Sequence, residues 1–156
     1  MADCYDTETR HKVMQRIHSK DTRPELRVRS ILHRMGFYFR ANQRNLPGSP
    51  DIVLPRYQTI IMVNGCFWHQ HPGCRLAERP KSNLDFWNTK LEKNVERDGR
   101  IIRQLRSYGW RVLTIWECQI TSKKKAPVFI EAFLVSFGIT SPRSRTNVLQ
   151  LNLFEG

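Results

Sequence analysis

The chain has 156 residues, enough for one domain whose core needs neither disulfides nor a partner. Hydrophobic residues make up 40% and charged residues 26%, a globular balance, and no apolar run approaches the roughly 18 residues of a membrane-spanning helix. Lys and Arg number 26 against 14 Asp and Glu, and the resulting +12 and pI near 10.1 favour a polyanionic partner, nucleic acid first. Residues 8–19 predict a short basic helix, with Val13 and Ile17 four apart. Asp21 or Thr22 is placed to cap a second helix, with Pro24 in its first turn. Val28, Ile31, Leu32 and Met35 form its apolar face, and Gly36 ends it. Residues 37–41 predict a strand, and the run NLPGSPD (45–51) predicts a turn. Ile52–Leu54 and 59–63 are short apolar runs, read as paired strands across the connector 55–58. Residues 64–82 lack periodicity. A long helix is predicted over 84–108, with Leu84, Trp87, Leu91, Val95, Ile102 and Leu105 inward and Gly109 as its stop. A buried strand over 110–116 and a last helix over 127–137 complete the order α-α-β-β-β-α-β-α. A mixed sheet flanked by helices is the economical α/β solution for that order.

The start, MADCYDTETRHK, lacks the apolar stretch of a signal peptide, so the expected compartment is the cytoplasm. Disulfides are therefore not expected among the cysteines at 4, 66, 74 and 118. Cys66, His71 and Cys74 fall within nine positions, and Cys118 follows the 110–116 strand. A Cys3His set fills the tetrahedral shell of zinc and leaves no open position, so the expected role is structural. Such an ion would staple the irregular 64–82 loop to the end of a distant strand. His69 is the competing histidine; Cys4 has no assigned role.

Metal-assisted phosphodiester hydrolysis needs a carboxylate for a divalent cation and a group that activates water. Asp51 opens a strand after P-G-S-P. The (Asp/Glu)-x-Lys triplet usual on the following strand is missing, since that strand reads Ile61-Met62-Val63-Asn64. A backbone carbonyl at Val63 is placed to supply an oxygen instead. Alone, Asp51 reads equally as a turn or capping aspartate. His69, spared by zinc, has a side chain suited to base catalysis near neutral pH. Asp98 falls on the apolar stripe of the long helix, either pairing with His69 or making a surface bridge with Arg97. Glu25, in the first turn of the second helix, is an accessory acid or a helix N-terminal acid and nothing more. Phe67 and Trp68 flank a zinc ligand, where they either stack on bases or join the core.

The stretches MQRIHSKDTRPEL (14–26), LPGSPDIVLP (46–55), GCFWHQHPGC (65–74), KNVERD (93–98) and GWRVLTIWEC (109–118) occur in an order that resembles the very-short-patch repair (Vsr) endonucleases. The resemblance implies a restriction-endonuclease-like mixed sheet flanked by helices with a structural Zn2+ site. It implies Mg2+-dependent nicking of one strand 5′ to the thymine of a T:G mismatch, the product of 5-methylcytosine deamination. By the same resemblance Asp51 and the Val63 carbonyl hold Mg2+, His69 activates water with Asp98 behind it, and Glu25 assists. Cys66, His71, Cys74 and Cys118 would bind Zn2+. Phe67, Trp68 and Trp87 would wedge into the duplex, with Met14 and Ile17 of the basic segment 1–22 near the bases. Residues 23–140 would form the endonuclease domain and 141–156 a loosely held tail. The implied setting is a monomer in bacterial cytoplasm, associated with the nucleoid, with a companion cytosine methyltransferase and repair-protein partners. Two positions depart from a well-known member: Asn64 stands where a second histidine is found, and Val63 where a threonine is found. The 75–83 loop is also individual. The competing readings are a restriction-type nuclease on a matched duplex and a zinc-stapled DNA-binding protein without catalysis.

Overall fold

The computed structural model describes residues 20–143. The expected 8–19 helix, with Met14 and Ile17, lies outside the described residues, as do Cys4 and residues 144–156. Among the described residues three α-helices and four strands follow one another: α1 (Arg23–Arg34), β1 (Arg40–Ala41), β2 (Ile52–Leu54), β3 (Thr59–Asn64), α2 (Leu84–Ser107), β4 (Arg111–Trp116) and α3 (Ala126–Ser136). The strands form one mixed sheet in the order β1-β2-β3-β4, antiparallel from β1 to β3 and parallel between β3 and β4. The parallel step requires a crossover, which the 65–83 loop and α2 provide. Among the described residues no helix is long and apolar enough to cross a membrane.

Alternation along the strands gives each face of the sheet its own core. Ile52, Leu54, Ile61, Val63, Leu113 and Ile115 pack with Val28, Ile31 and Leu32 of α1 and Ile130 and Leu134 of α3. Val53, Ile60 and Val112 face the other way, against Leu105 of α2, with Ile101 and Ile102 beside them. Thr22 caps α1, accepting from the Glu25 amide at 3.5 Å while its own hydroxyl donates to the Glu25 carboxylate at 2.9 Å.

Two sequence expectations need correction. The 37–41 strand shrinks to Arg40–Ala41, because Phe37 turns into the core and meets the Tyr57 ring edge-on at 5.8 Å. Leu84 and Val95, expected inward on α2, are 52% and 46% exposed. Only the C-terminal half of that helix packs on the sheet. In its N-terminal half Leu91 is fully buried, but Leu84 and Val95 reach past the sheet, where the helix overhangs the 65–79 loop and the cleft.

The turn before β2 is fixed by close packing. Gly48 has φ +72°, and a Cβ there would meet Ile101 Cγ2 of α2 at 2.6 Å. Gly48→Ala is therefore expected to destabilise the protein by about 1–3 kcal/mol, from the strained backbone and the clash together. Chemical denaturation checks this; an unchanged midpoint would mean that α2 moves aside freely.

Candidate active site

An open cleft of about 780 Å³ lies where the ends of β2 and β3, the Gly65–His69 loop, the start of α1 and the middle of α2 meet. Asp51, Val63, Asn64, Trp68, His69, Asp98 and Glu25 all line it. Residues from four separate stretches of sequence thus reach one cavity.

Asp51 stands just before β2, on the side of the sheet that faces α2. Its Oδ2 accepts the Val63 amide at 2.8 Å. Burial pushes its pKa up to about 6, against the pull of that amide, and the nearby Glu25 charge adds to the rise. An acid held this way has an under-compensated anion, which is what a bound cation relieves. A buried carboxylate opening on a cleft with room for water suits a hard divalent ion.

His69 Nδ1 lies 2.5 Å from Asp98 Oδ2. A carboxylate accepts, so Nδ1 carries the proton and Nε2 is the basic nitrogen. Asp98 also takes Arg97 through its other oxygen, at 3.3 Å, so the two readings of this residue are both realised. Asp98→Asn would keep the shape but exchange an anion for a neutral amide. Any phosphodiester hydrolysis that uses His69 as its base is expected to slow by about tenfold to a hundredfold, with substrate affinity unchanged, as orientation of the base is lost. Equal single-turnover rates for variant and parent would remove Asp98 from the reaction.

Glu25 is buried and heavily engaged. Its carboxylate accepts from Thr22 Oγ1 and the Asp21 amide, both at 2.9 Å, and from Arg29 at 3.2 Å. It serves the helix cap and lines the cleft at once.

The Cys/His set converges beside the cleft. The ligand atoms of Cys66, His71, Cys74 and Cys118 all lie within 4.8 Å of one another. His71 Nδ1 is 3.6 Å from Cys66 Sγ and 3.3 Å from Cys118 Sγ. Tetrahedral zinc with ordinary Zn–S and Zn–N bonds sets that edge at about 3.5 Å, so the four residues fit the ion. Burial pushes the Cys66 thiol up to about 12 and raises Cys118 as well. Desolvation also pulls Cys74 upward, but the amides of Leu76 and Ala77 and its neighbouring thiols leave the net shift downward. The sheet explains the long gap in the ligand spacing. Asn64 pairs with Trp116, and two further residues along each strand direction stand Cys66 and Cys118. His69 stays out of the cluster.

Phe67, Trp68 and Trp87 form one aromatic group, with centroid separations of 5.2, 5.5 and 6.0 Å. All three are half-buried, so none is a fully buried core residue. Phe86, 52% exposed, extends the group by an edge contact with Trp87 at 5.2 Å. Sequence reasoning missed Phe86, and it missed Trp116, whose ring stacks on His71 at 4.2 Å. It also gave no role to Lys90 and Asn94, which line the cleft with Asp98. Their four-residue spacing is a helical stripe and was a usable signal. Gln70 and Arg79 left no such signal.

The chain is similar to known proteins over most of its length. The family model described as DNA mismatch endonuclease Vsr matches residues 2–75. The DNA mismatch endonuclease Vsr of Escherichia coli (strain K12) is 45% identical over 125 residues, 80% of each chain. The type II nicking enzyme V.XorIIP of Xanthomonas oryzae pv. oryzae is 47% identical over 121 residues, 78% of this chain and 88% of that one. The Homing Endonuclease I-Bth0305I Catalytic Domain superposes with a TM-score of 0.49 over 74% of this chain and 97% of that chain, at 28% identity. A cleft with Asp51, His69 and Asp98 beside a Cys/His cluster, on a chain this similar to such relatives over most of its length, places the protein in the Vsr family of DNA mismatch endonucleases.

Proposed function

We propose that the protein is a Mg2+-dependent, zinc-stapled monomer of restriction-endonuclease-like architecture that nicks one strand of duplex DNA 5′ to the thymine of a T:G mismatch. The observation that carries the reading is the His69–Asp98 pair opening onto the same cleft as the buried Asp51 carboxylate. A DNA-binding protein without catalysis has no use for that arrangement. Relatives named as nicking enzymes support cleavage of one strand.

In this reading Asp51 and the Val63 carbonyl hold the divalent ion, which supplies charge neutralisation at the scissile phosphate. His69 Nε2 accepts the proton of the attacking water. Asp98 keeps Nδ1 protonated and steadies the imidazolium as it forms. Asn64 lines the cleft where the family member has a second histidine; it hydrogen-bonds water but moves no proton. Phe67, Trp68 and Trp87 enter the duplex beside the mismatch, and the basic 1–22 segment, with Met14 and Ile17, contacts DNA from the other groove. Glu25 modulates Asp51 through its charge. A companion cytosine methyltransferase and repair-protein partners would complete the setting, in bacterial cytoplasm at the nucleoid.

The test is a labelled duplex with one T:G mismatch in a methyltransferase-type site, run with Mg2+ beside matched T:A and C:G duplexes and an Asp51→Ala control. A nick confined to the thymine strand of the mismatch, absent in the variant, is expected. Cleavage of both strands of a matched duplex would replace this reading with a restriction-type nuclease. Binding without cleavage under any divalent ion would leave a zinc-stapled DNA binder.

A further inference from the structure

The aromatic edge is composite. Phe67 and Trp68 ride the Cys/His loop, whereas Trp87 belongs to α2. Each loop ring has its own backbone carbonyl held by a side-chain amide. Gln70 Nε2 donates to the Phe67 carbonyl at 2.7 Å and to that of Ala77 at 3.1 Å. Asn94 Nδ2, from α2, donates to the Trp68 carbonyl at 3.1 Å.

What joins the Gln70 side of the loop to the helix is Arg79, in the individual 75–83 segment. Its Nε donates to Gln70 Oε1 at 2.9 Å, and one terminal nitrogen donates to Asn88 Oδ1 at 2.8 Å and reaches Glu92 at 3.4 Å. Asn88 directly follows Trp87. An unbroken series of hydrogen bonds therefore runs from the Phe67 carbonyl through Gln70 and Arg79 to the neighbour of Trp87. Only a planar guanidinium presents two donors in fixed directions to two elements at once. The bridge to Glu92 adds little stability, since Arg79 is 35% and Glu92 68% exposed.

The geometry points to Arg79 as a positioning residue: by tying Gln70 to Asn88 it sets the offset between the Phe67–Trp68 rings and Trp87, and so how the aromatic edge enters the duplex beside the mismatch. This rests on the mismatch-nicking reading. The hydrogen bonds of Arg79 go to Gln70, Asn88 and Glu92, and not to the Cys/His ligands or to Asp51, His69 and Asp98. Its loss should change productive docking and leave the hydrolytic step alone.

The test uses the full-length zinc-loaded protein on a T:G duplex carrying 2-aminopurine at the base step beside the mismatch. Arg79→Ala is expected to keep its zinc, to raise KM roughly tenfold and to leave kcat within about twofold. The fluorescence rise that reports unstacking on binding should shrink. Arg79→Lys should fail to restore it, because an ammonium is a single point and cannot hold both Gln70 and Asn88. Gln70→Glu keeps the acceptor for Arg79 but removes the donor to Phe67, so it should reproduce Arg79→Ala, and the double variant should be no worse than either single one. Unchanged KM and fluorescence with only a lowered Tm, or additive losses in the double variant, would overturn the relay. Should Arg79→Ala lose its zinc, Gln70→Glu decides the matter alone. Failure of the unaltered protein to nick the mismatch duplex would instead remove the functional reading, and the relay's purpose with it.

Discussion

Asp51→Asn is expected to abolish nicking and at the same time to raise the melting temperature in magnesium-free buffer. Burial lifts the Asp51 pKa from 3.8 to about 6, and the Glu25 charge adds to it. The folded protein therefore holds this proton more tightly than the unfolded chain. Its contribution favours folding at low pH, and that advantage is lost as pH rises from about 4 to about 6. Above that window the ionised carboxylate costs stability, by at most about 3 kcal/mol for a rise of this size. Asparagine keeps the acceptor for the Val63 amide but carries a buried amide of its own. The net gain at pH 7.5 should thus be about 1–2 kcal/mol, or roughly 3–6 °C in Tm. Mg2+ should raise the Tm of the parent and leave the variant unmoved, since an amide is a poor ligand for it. Calorimetry at pH 5 and pH 7.5, with and without Mg2+, reads all of this. A variant less stable than its parent at pH 7.5 would mean that the Asp51 anion is already compensated without an ion, and the cation assignment would lose its physical basis.

What the sequence shows and what it hides divide along physical lines. The strands β2 and β3 were legible because short β-branched runs flanked by Pro and Gly have few alternatives. The Cys/His set was legible because three soft ligands lay within nine residues. The fourth, Cys118, was legible only as a candidate; its place is a consequence of the parallel β3–β4 register, which carries Asn64↔Trp116 onward to Cys66 and Cys118. Asp98 was visible as a carboxylate on an apolar stripe. Leu84 and Val95, on that same stripe, misled, because periodicity says which face of a helix is apolar and not how far the sheet beneath it extends. Gln70 and Arg79 were invisible for a different reason. Their bonds join a loop without periodicity to a helix, and nothing in a polar residue's type tells which partner a fold will bring to it.

The largest structural effect should follow from removing the zinc proposed for the Cys/His cluster. Cys66 and Cys118 stand two residues beyond the paired ends of β3 and β4, so the sheet itself should keep them close without an ion. His71 and Cys74 lie in the middle of the 65–79 loop; His69, Trp68 and Arg79 tie its other parts to α2, whereas the backbone at 71 and 74 is held by local bonds such as His71 N to the Cys66 carbonyl at 3.0 Å and Cys74 N to the His71 carbonyl at 3.3 Å. Those local bonds are little to fix the 71–74 stretch against its chain entropy. His71→Ala, or strong chelation of the parent, should therefore leave the sheet core folded while the loop opens. The expected readouts are loss of one zinc per chain and a fall in Tm of more than ~10 °C. Tryptophan fluorescence should also change, since Trp116 stacks on His71 and Trp68 and Trp87 share the aromatic group. Protease should gain access within 75–83. Nicking should disappear with the loop, because Phe67, Trp68 and His69 all ride on it, even though Asp51 and Asp98 stand on elements that the metal does not touch. The two proposed metal sites are thereby separable by experiment: Asp51→Asn should remove chemistry and spare the loop, whereas His71→Ala should open the loop and displace the base with it. A chelated protein that still nicks, with unchanged fluorescence and Tm, would show that the loop holds itself and that the cluster is four ordinary side chains in a packed corner.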